Sequence, residues 1–198
     1  SGKIIFSSGR YAFNRFDRLY MISPDGTGLE ELIMHEATWG SFSPDGRRVA
    51  YNRVAREHRT WKRYRGGLAQ DIYMFDFDLM KDTRLTDFTG TDRLPMWIGD
   101  LVYFTSDRDR VLNIYSLDPE TGETKKLTDH TDYDVRRPSD GTGRIVYELG
   151  GDIWMLDVAS GTNGRIDIKV LSDAPETRPY IKEVSDDVTD VDCSPEGN

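Results

Sequence analysis

The chain has 198 residues, 37% hydrophobic, 11% aromatic and 31% charged, with one cysteine and a net charge of −9. This is enough chain for one ordinary domain or two small ones, and ten Tyr, eight Phe and four Trp argue against intrinsic disorder. Apolar runs stop at four residues where a membrane helix needs roughly 20, the acidic balance repels nucleic acid, and lone Cys193 excludes an internal disulfide or thiolate zinc cluster.

At the N-terminus, Ser1 to Phe6 carries no signal-peptide pattern, which together with the single cysteine fits a reducing, cytoplasmic setting. A strand over Ile4-Ile5-Phe6 is followed by a second over Arg18 to Ile22, then a turn at Ser23-Pro24-Asp25-Gly26 and an apolar anchor at Leu32. The order then recurs. Trp39 to Phe42 leads into Ser43-Pro44-Asp45-Gly46, followed by Val49-Ala50-Tyr51, Asp71 to Phe75 and the anchor Leu85. Next come Pro95 to Asp100, Leu101 to Phe104, Asn113 to Leu117, the turn Asp118-Pro119-Glu120-Thr121-Gly122 and Leu127. A fourth pass runs through Arg137 to Gly141, Ile145-Val146-Tyr147 and Asp152 to Leu156. Proline presets φ and glycine supplies positive φ, so the polar intervals read as hairpin turns.

Two spacings organise this pattern. Leu19 to Leu32, Ile72 to Leu85 and Ile114 to Leu127 are each 13 residues, whereas Ile153 to its expected anchor Leu171 is 18, as if five residues were inserted. The aliphatic–aromatic runs themselves recur after 53, 42 and 39 residues. Four short strands per roughly 40 residues is the signature of a β-propeller blade. Several strands are apolar on both faces, as expected where stacked blades bury both sides. The expectation is therefore an all-β propeller, about four blades' worth of four-stranded antiparallel sheets, with blade segments at 1–36, 37–90, 91–131 and 132–183. A further first strand and turn are expected within 184–198, over Val188 to Gly197. That last strand either completes the N-terminal blade and closes a four-bladed ring, or belongs to a larger, six-bladed propeller.

The Ser-Pro-Asp-Gly segments resemble the WD-like repeats of TolB-type and tricorn-type propellers. More specific is the stretch Arg59-Thr60-Trp61-Lys62-Arg63-Tyr64-Arg65-Gly66-Gly67 leading into Asp71-Ile72-Tyr73. It resembles the N-terminal propeller of the tricorn protease family, as do Thr91 to Trp97 and Val102 to Asp109. The resemblance implies a cytoplasmic serine peptidase that cleaves short peptides. In that family a six-bladed propeller, its ring unsealed, precedes a seven-bladed one, a PDZ-like domain and the catalytic domains. The implied role for this chain is to gate or bind peptides, its partners being those peptides and the remaining propeller and catalytic domains. Unsealed edge strands also leave homo-oligomer formation open. The alternative is a TolB-like protein-binding scaffold without peptidase activity.

Catalytic, metal and cofactor residues are expected to be absent from this chain. It has no Gly-x-Ser-x-Gly, His35, His58 and His130 lack metal-ligand spacing, and Gly66-Gly67 lacks the Lys-Ser/Thr of a phosphate loop. The one unusual local feature is charge. Residues 53–65 hold six basic residues and one acid, +5 in all, which leaves −14 for the rest. Arg56, Arg59, Lys62, Arg63 and Arg65 are therefore the candidate peptide- or partner-binding residues, with Trp61 and Tyr64 placed to stack on guanidinium groups. The competing reading pairs these arginines with the acidic propeller surface and packs both rings against a blade.

Overall fold

The computed structural model describes residues 2–12, 16–34, 36–56, 61–169, 171, 177–190, 192 and 194–196. Residues 1–167 and 168–198 form two separate units. The first is built of four antiparallel sheets in which each strand pairs with its neighbour in sequence. Sheet one holds β1 (Ile4–Ser8), β2 (Arg18–Ile22) and β3 (Glu30–Glu31). Sheet two holds β4 (Thr38–Phe42), β5 (Arg48–Asn52), β6 (Ile72–Asp76) and β7 (Lys81–Arg84). Sheet three comprises β8 (Asp92–Ile98), β9 (Leu101–Ser106), β10 (Asn113–Leu117) and β11 (Thr124–Lys126). Sheet four comprises β12 (Arg136–Gly141), β13 (Arg144–Leu149), β14 (Asp152–Asp157) and β15 (Asn163–Arg165). These are the blades of a β-propeller.

The 13-residue spacing is a hydrogen-bond register. The N–H groups of Leu32, Leu85 and Leu127 donate to the carbonyls of Leu19, Ile72 and Ile114 at 2.9, 2.8 and 2.9 Å. In sheet four the donor to Ile153 is Ile166, at 2.8 Å, so the anchor is Ile166 and not Leu171. The fourth hairpin thus keeps the same spacing, with no insertion. Turn chemistry recurs too. Asp76, Asp118 and Asp157 each accept, through Oδ1, backbone N–H groups of the turn that follows, at 2.8–3.2 Å. These bonds favour the carboxylate, and they hold Asp118 and Asp157 below the ordinary 3.8.

The middle strands are apolar on both faces because both faces are covered. From β5, Val49 and Tyr51 join Leu19, Leu32 and Phe75 in one cluster, while Ala50 joins Ile72, Trp97, Val102 and Phe104 in the next. From β9, Val102 and Phe104 face sheet two, while Tyr103 packs with Ile114, Ile145 and Tyr147 toward sheet four. Phe104, Ile114 and Ile145 are fully buried. Strand β13 instead alternates, with Ile145, Tyr147 and Leu149 buried and Val146 exposed between them.

In sheets two, three and four the first, inner strand (β4, β8 and β12) carries a bulge at the same place. Pairing skips two residues between Thr38 and Ser41, Arg93 and Met96, and Arg136 and Ser139. In each gap the first residue is left-handed: Trp39 at φ 56°, Leu94 at 57° and Arg137 at 47°. The next is Gly40, Pro95 or Pro138. Proline has no N–H to give the neighbouring strand, and at Gly40 an added Cβ would lie 2.7 Å from Ile5 Cδ1. A left-handed side-chain-bearing residue costs about 1–2 kcal/mol. Part of that cost is offset by bonds to the preceding sheet: Trp39 N–H donates to Ser7 Oγ at 3.1 Å and Leu94 N–H to Asn52 Oδ1 at 2.9 Å.

The second unit, residues 168–198, contains a short 3-10 helix at Ser185–Asp187, closed by Asp187 N–H on the Val184 carbonyl at 2.9 Å. Of the strand expected over Val188 to Gly197, the described residues 188–190, 192 and 194–196 carry no strand assignment, and 191, 193 and 197 lie outside the described residues.

Truncating Ile114 to alanine removes a fully buried side chain between sheets three and four. Chemical denaturation should show a loss of about 2–5 kcal/mol, while Leu79→Ala, in an exposed turn, should change stability by less than about 0.5 kcal/mol.

Candidate functional site

The second-to-third strand connection differs sharply among the sheets. It runs over residues 53–71 in sheet two, 107–112 in sheet three and 150–151 in sheet four. These connections, with Tyr133 and Asp134 before β12, enclose a cavity of about 680 Å³. Arg56, Lys62 and Arg63 of the basic stretch line it.

The long connection is held down residue by residue. Arg53 lies 4.0 Å over the Tyr73 ring and bonds Asp82 at 2.6 Å. Buried Gln70 donates through Nε2 to the Val54 carbonyl at 2.8 Å. Arg65 donates to Asp107 Oδ2 at 2.8 Å with its guanidinium 5.2 Å over Phe88. Asp107 is buried, its other oxygen accepting the Thr91 N–H at 2.8 Å. Gly90 permits this crossing, since a Cβ there would lie 2.4 Å from both Arg65 and Asp107. Trp61 and Tyr64 meet edge to face at 5.2 Å, and Arg56 lies over both, 4.9 and 5.1 Å from the ring centres.

The five candidate residues therefore divide. Arg65 is committed to a buried aspartate. Lys62 pairs with Asp134 at 2.6 Å but keeps a side chain 65% exposed. Arg63 donates through Nε to the Arg110 carbonyl at 3.0 Å, and Arg56 has no ion pair with any of the described residues. Arg56, Lys62 and Arg63 line the cavity. Arg59 lies outside the described residues.

Three further arginines line the same cavity: Arg93, Arg110 and Arg136. Sequence reading missed them because each sits singly in a short connection or inner strand, far from 53–65. The usable signal was positional, since Arg110 occupies in sheet three the connection that the basic stretch occupies in sheet two. Two carboxylates on the cavity are engaged, Asp107 by Arg65 and Asp134 by Lys62, while Glu148 has only a loose contact with exposed Arg137 at 3.7 Å. Arg56, Arg63, Arg110 and Arg136, which line the cavity, form no ion pair with the described residues. Guanidinium groups form charge-assisted hydrogen bonds with carboxylates, and Trp61 and Tyr133 supply exposed ring surface beside them.

Nothing in the described geometry places a nucleophile beside a base. His130, the one described histidine, bonds Tyr147 Oη through Nε2 at 3.0 Å and packs edge-on to Trp154. Burial lowers its pKa and pushes Tyr147 up to about 12, as expected of packing groups. His35 and His58 lie outside the described residues. Among the described residues no group of three His, Cys, Asp or Glu is placed to hold a metal ion, and no helix is long and apolar enough to cross a membrane.

The profile of the tricorn protease N-terminal β-propeller domain matches residues 1–162. The chain belongs to that family. Among relatives, the tricorn protease of Thermoplasma acidophilum is 30% identical over 175 residues, which is 88% of this chain and 16% of that protein. The putative tricorn protease homolog 2 of Streptomyces coelicolor is 31% identical over 170 residues, 80% of this chain and 14% of the relative. A crystal structure of the tricorn protease superposes with a TM-score of 0.76 at 28% identity, covering 86% of this chain and 16% of that one. The chain thus spans 11–17% of the curated relatives' length. A putative TolB from Agrobacterium tumefaciens, at TM-score 0.62 and 19% identity, shares the fold alone.

Replacing Arg65 with glutamine should lower stability by about 3 kcal/mol, because it strips the cation from a buried carboxylate. Arg63→Gln, which removes one exposed bond to a carbonyl, should cost under about 1 kcal/mol. Equal costs measured by urea denaturation would contradict the division between structural and available cations.

Proposed function

We propose that this chain is the non-catalytic propeller segment of a tricorn-like cytoplasmic serine peptidase, where it binds and gates peptides for bond cleavage by other domains of the protein. The observation that carries this reading is the cavity at the shared loop end of sheets two to four. Asp107 and Asp134 on its wall are already paired, while Arg56, Arg63, Arg110 and Arg136 add cationic surface beside exposed rings. A peptide offers matching groups, a terminal or side-chain carboxylate and apolar or aromatic side chains. Family membership and the coverage of only 11–17% of the relatives support a role within a longer chain.

The mechanism this supports is capture and orientation. Charge draws an acidic peptide end toward the cavity, and guanidinium groups in bidentate geometry fix the carboxylate. Lys62, its side chain 65% exposed, adds charge to the cavity wall while keeping its partner Asp134, which is only 14% exposed and also accepts the Leu112 N–H at 3.0 Å.

The test is a calorimetric titration with short acidic peptides carrying a free C-terminus. Substituting Arg56, Lys62 and Arg63 together by glutamine should weaken binding about tenfold or more, with the denaturation midpoint little changed. Unchanged affinity with reduced stability would show that the stretch is architectural, and would leave the protein-binding scaffold as the better account. Peptide hydrolysis by this chain alone would contradict the non-catalytic assignment.

A further inference from the structure

The repeated bulge of the inner strands has a consequence away from the basic stretch. Bulges re-aim side chains and concentrate beside functional sites, and left-handed non-glycine residues do the same. Here the bulges of β4, β8 and β12 come together: Trp39, Leu94 and Arg137, the left-handed residue of each bulge, all line one cavity of about 410 Å³. That volume lies within the ~300–1,000 Å³ typical of small-ligand sites. Three sheets thus each contribute a strained position to the same space.

Its chemistry is two-sided. Met96 and the rings of Pro95 and Pro138 add apolar wall beside Leu94, and the Trp39 indole stays 41% exposed although it is the largest apolar group there. Against this stand Arg136 and Arg137, and a single carboxylate, Asp140. Arg137 reaches its only described carboxylate, Glu148, at a loose 3.7 Å with its side chain 78% exposed. In a chain of net charge −9, this small space carries a cationic excess next to an exposed aromatic face.

We infer that the bulge cavity is a second peptide subsite, which takes an aromatic or large aliphatic side chain against Trp39 and Leu94 and the adjoining carboxylate on Arg137. The inference rests on the reading of the chain as a peptide-handling segment and names what that segment selects: an apolar residue next to a carboxylate, with the C-terminal residue of a cleaved peptide as the simplest case. It is separable from the larger cavity. Arg93 and Arg136 border both, whereas Trp39, Leu94 and Arg137 border this one alone.

The full-length protein should be titrated with Ala-Ala-Phe, its C-terminal amide and Ala-Ala-Ala. Free Ala-Ala-Phe should bind at least tenfold more tightly than either of the others. The variant Trp39→Gly with Arg137→Gln should lose at least tenfold. Glycine suits the left-handed backbone and keeps the N–H bonded to Ser7, so the thermal midpoint should hold and exclude misfolding as the cause. The control Leu79→Ala, in an exposed turn that borders neither cavity, should bind Ala-Ala-Phe as the parent does. Loss in the triple glutamine variant at Arg56, Lys62 and Arg63 with none in the Trp39 and Arg137 variant would overturn this inference and leave the larger cavity as the peptide site. Acid and amide binding alike would also overturn it, and no binding of any peptide would overturn both readings.

Discussion

No sheet in this molecule has a core of its own. A three- or four-stranded sheet with short outer strands is marginal in water, and its stability comes from what covers its faces. Strands β5 and β9 show this directly, since consecutive residues from Val49 to Tyr51 and Val102 to Phe104 are all buried, alternately by the sheet before and the sheet after. The stack buries what each sheet alone would expose. Polar groups follow the same rule. Asn52, fully buried at the end of β5, donates to the Asp71 and Asp92 carbonyls at 2.7 and 3.0 Å and accepts from Leu94 N–H, tying sheet two to the bulge of sheet three.

Mutual burial also decides where recognition chemistry can sit. With faces consumed by packing, the loop ends and the inner strands are what remain to meet a ligand. The long 53–71 connection exploits the loop end: part of its charge is spent on anchoring, through Arg53 and Arg65, so that Arg56, Lys62 and Arg63 are held over a cavity. The inner strands contribute through bulges, where left-handed Trp39, Leu94 and Arg137 break the ladder and border a shared space. Both devices pay local strain or burial for position.

Much of the fold was legible in the sequence because hairpin registers and two-faced burial leave marks in composition. The 13-residue spacing, the Pro-Asp-Gly turns and the apolar four-residue runs each report one such constraint. The fourth anchor was misread for a definable reason: Leu171 sits in a Leu-Ser-Asp tail like the others, while the true anchor Ile166 follows Asn163-Gly164-Arg165 and precedes a charged residue. The bulges left almost no mark, since left-handed φ at a tryptophan, a leucine and an arginine has no compositional signature. Only the proline after two of them hints at a broken ladder. In the basic stretch the sequence showed the charge but not its division, because whether an arginine is anchored depends on buried carboxylates such as Asp107, some 40 residues away.

The dependence of each sheet on its neighbours can be measured by native-state hydrogen exchange at amides of β5, β9 and β13. The account predicts one common opening free energy for the three strands, lowered together by a destabilising substitution in any one sheet. Three separate opening free energies, each responding only to substitutions in its own sheet, would contradict it.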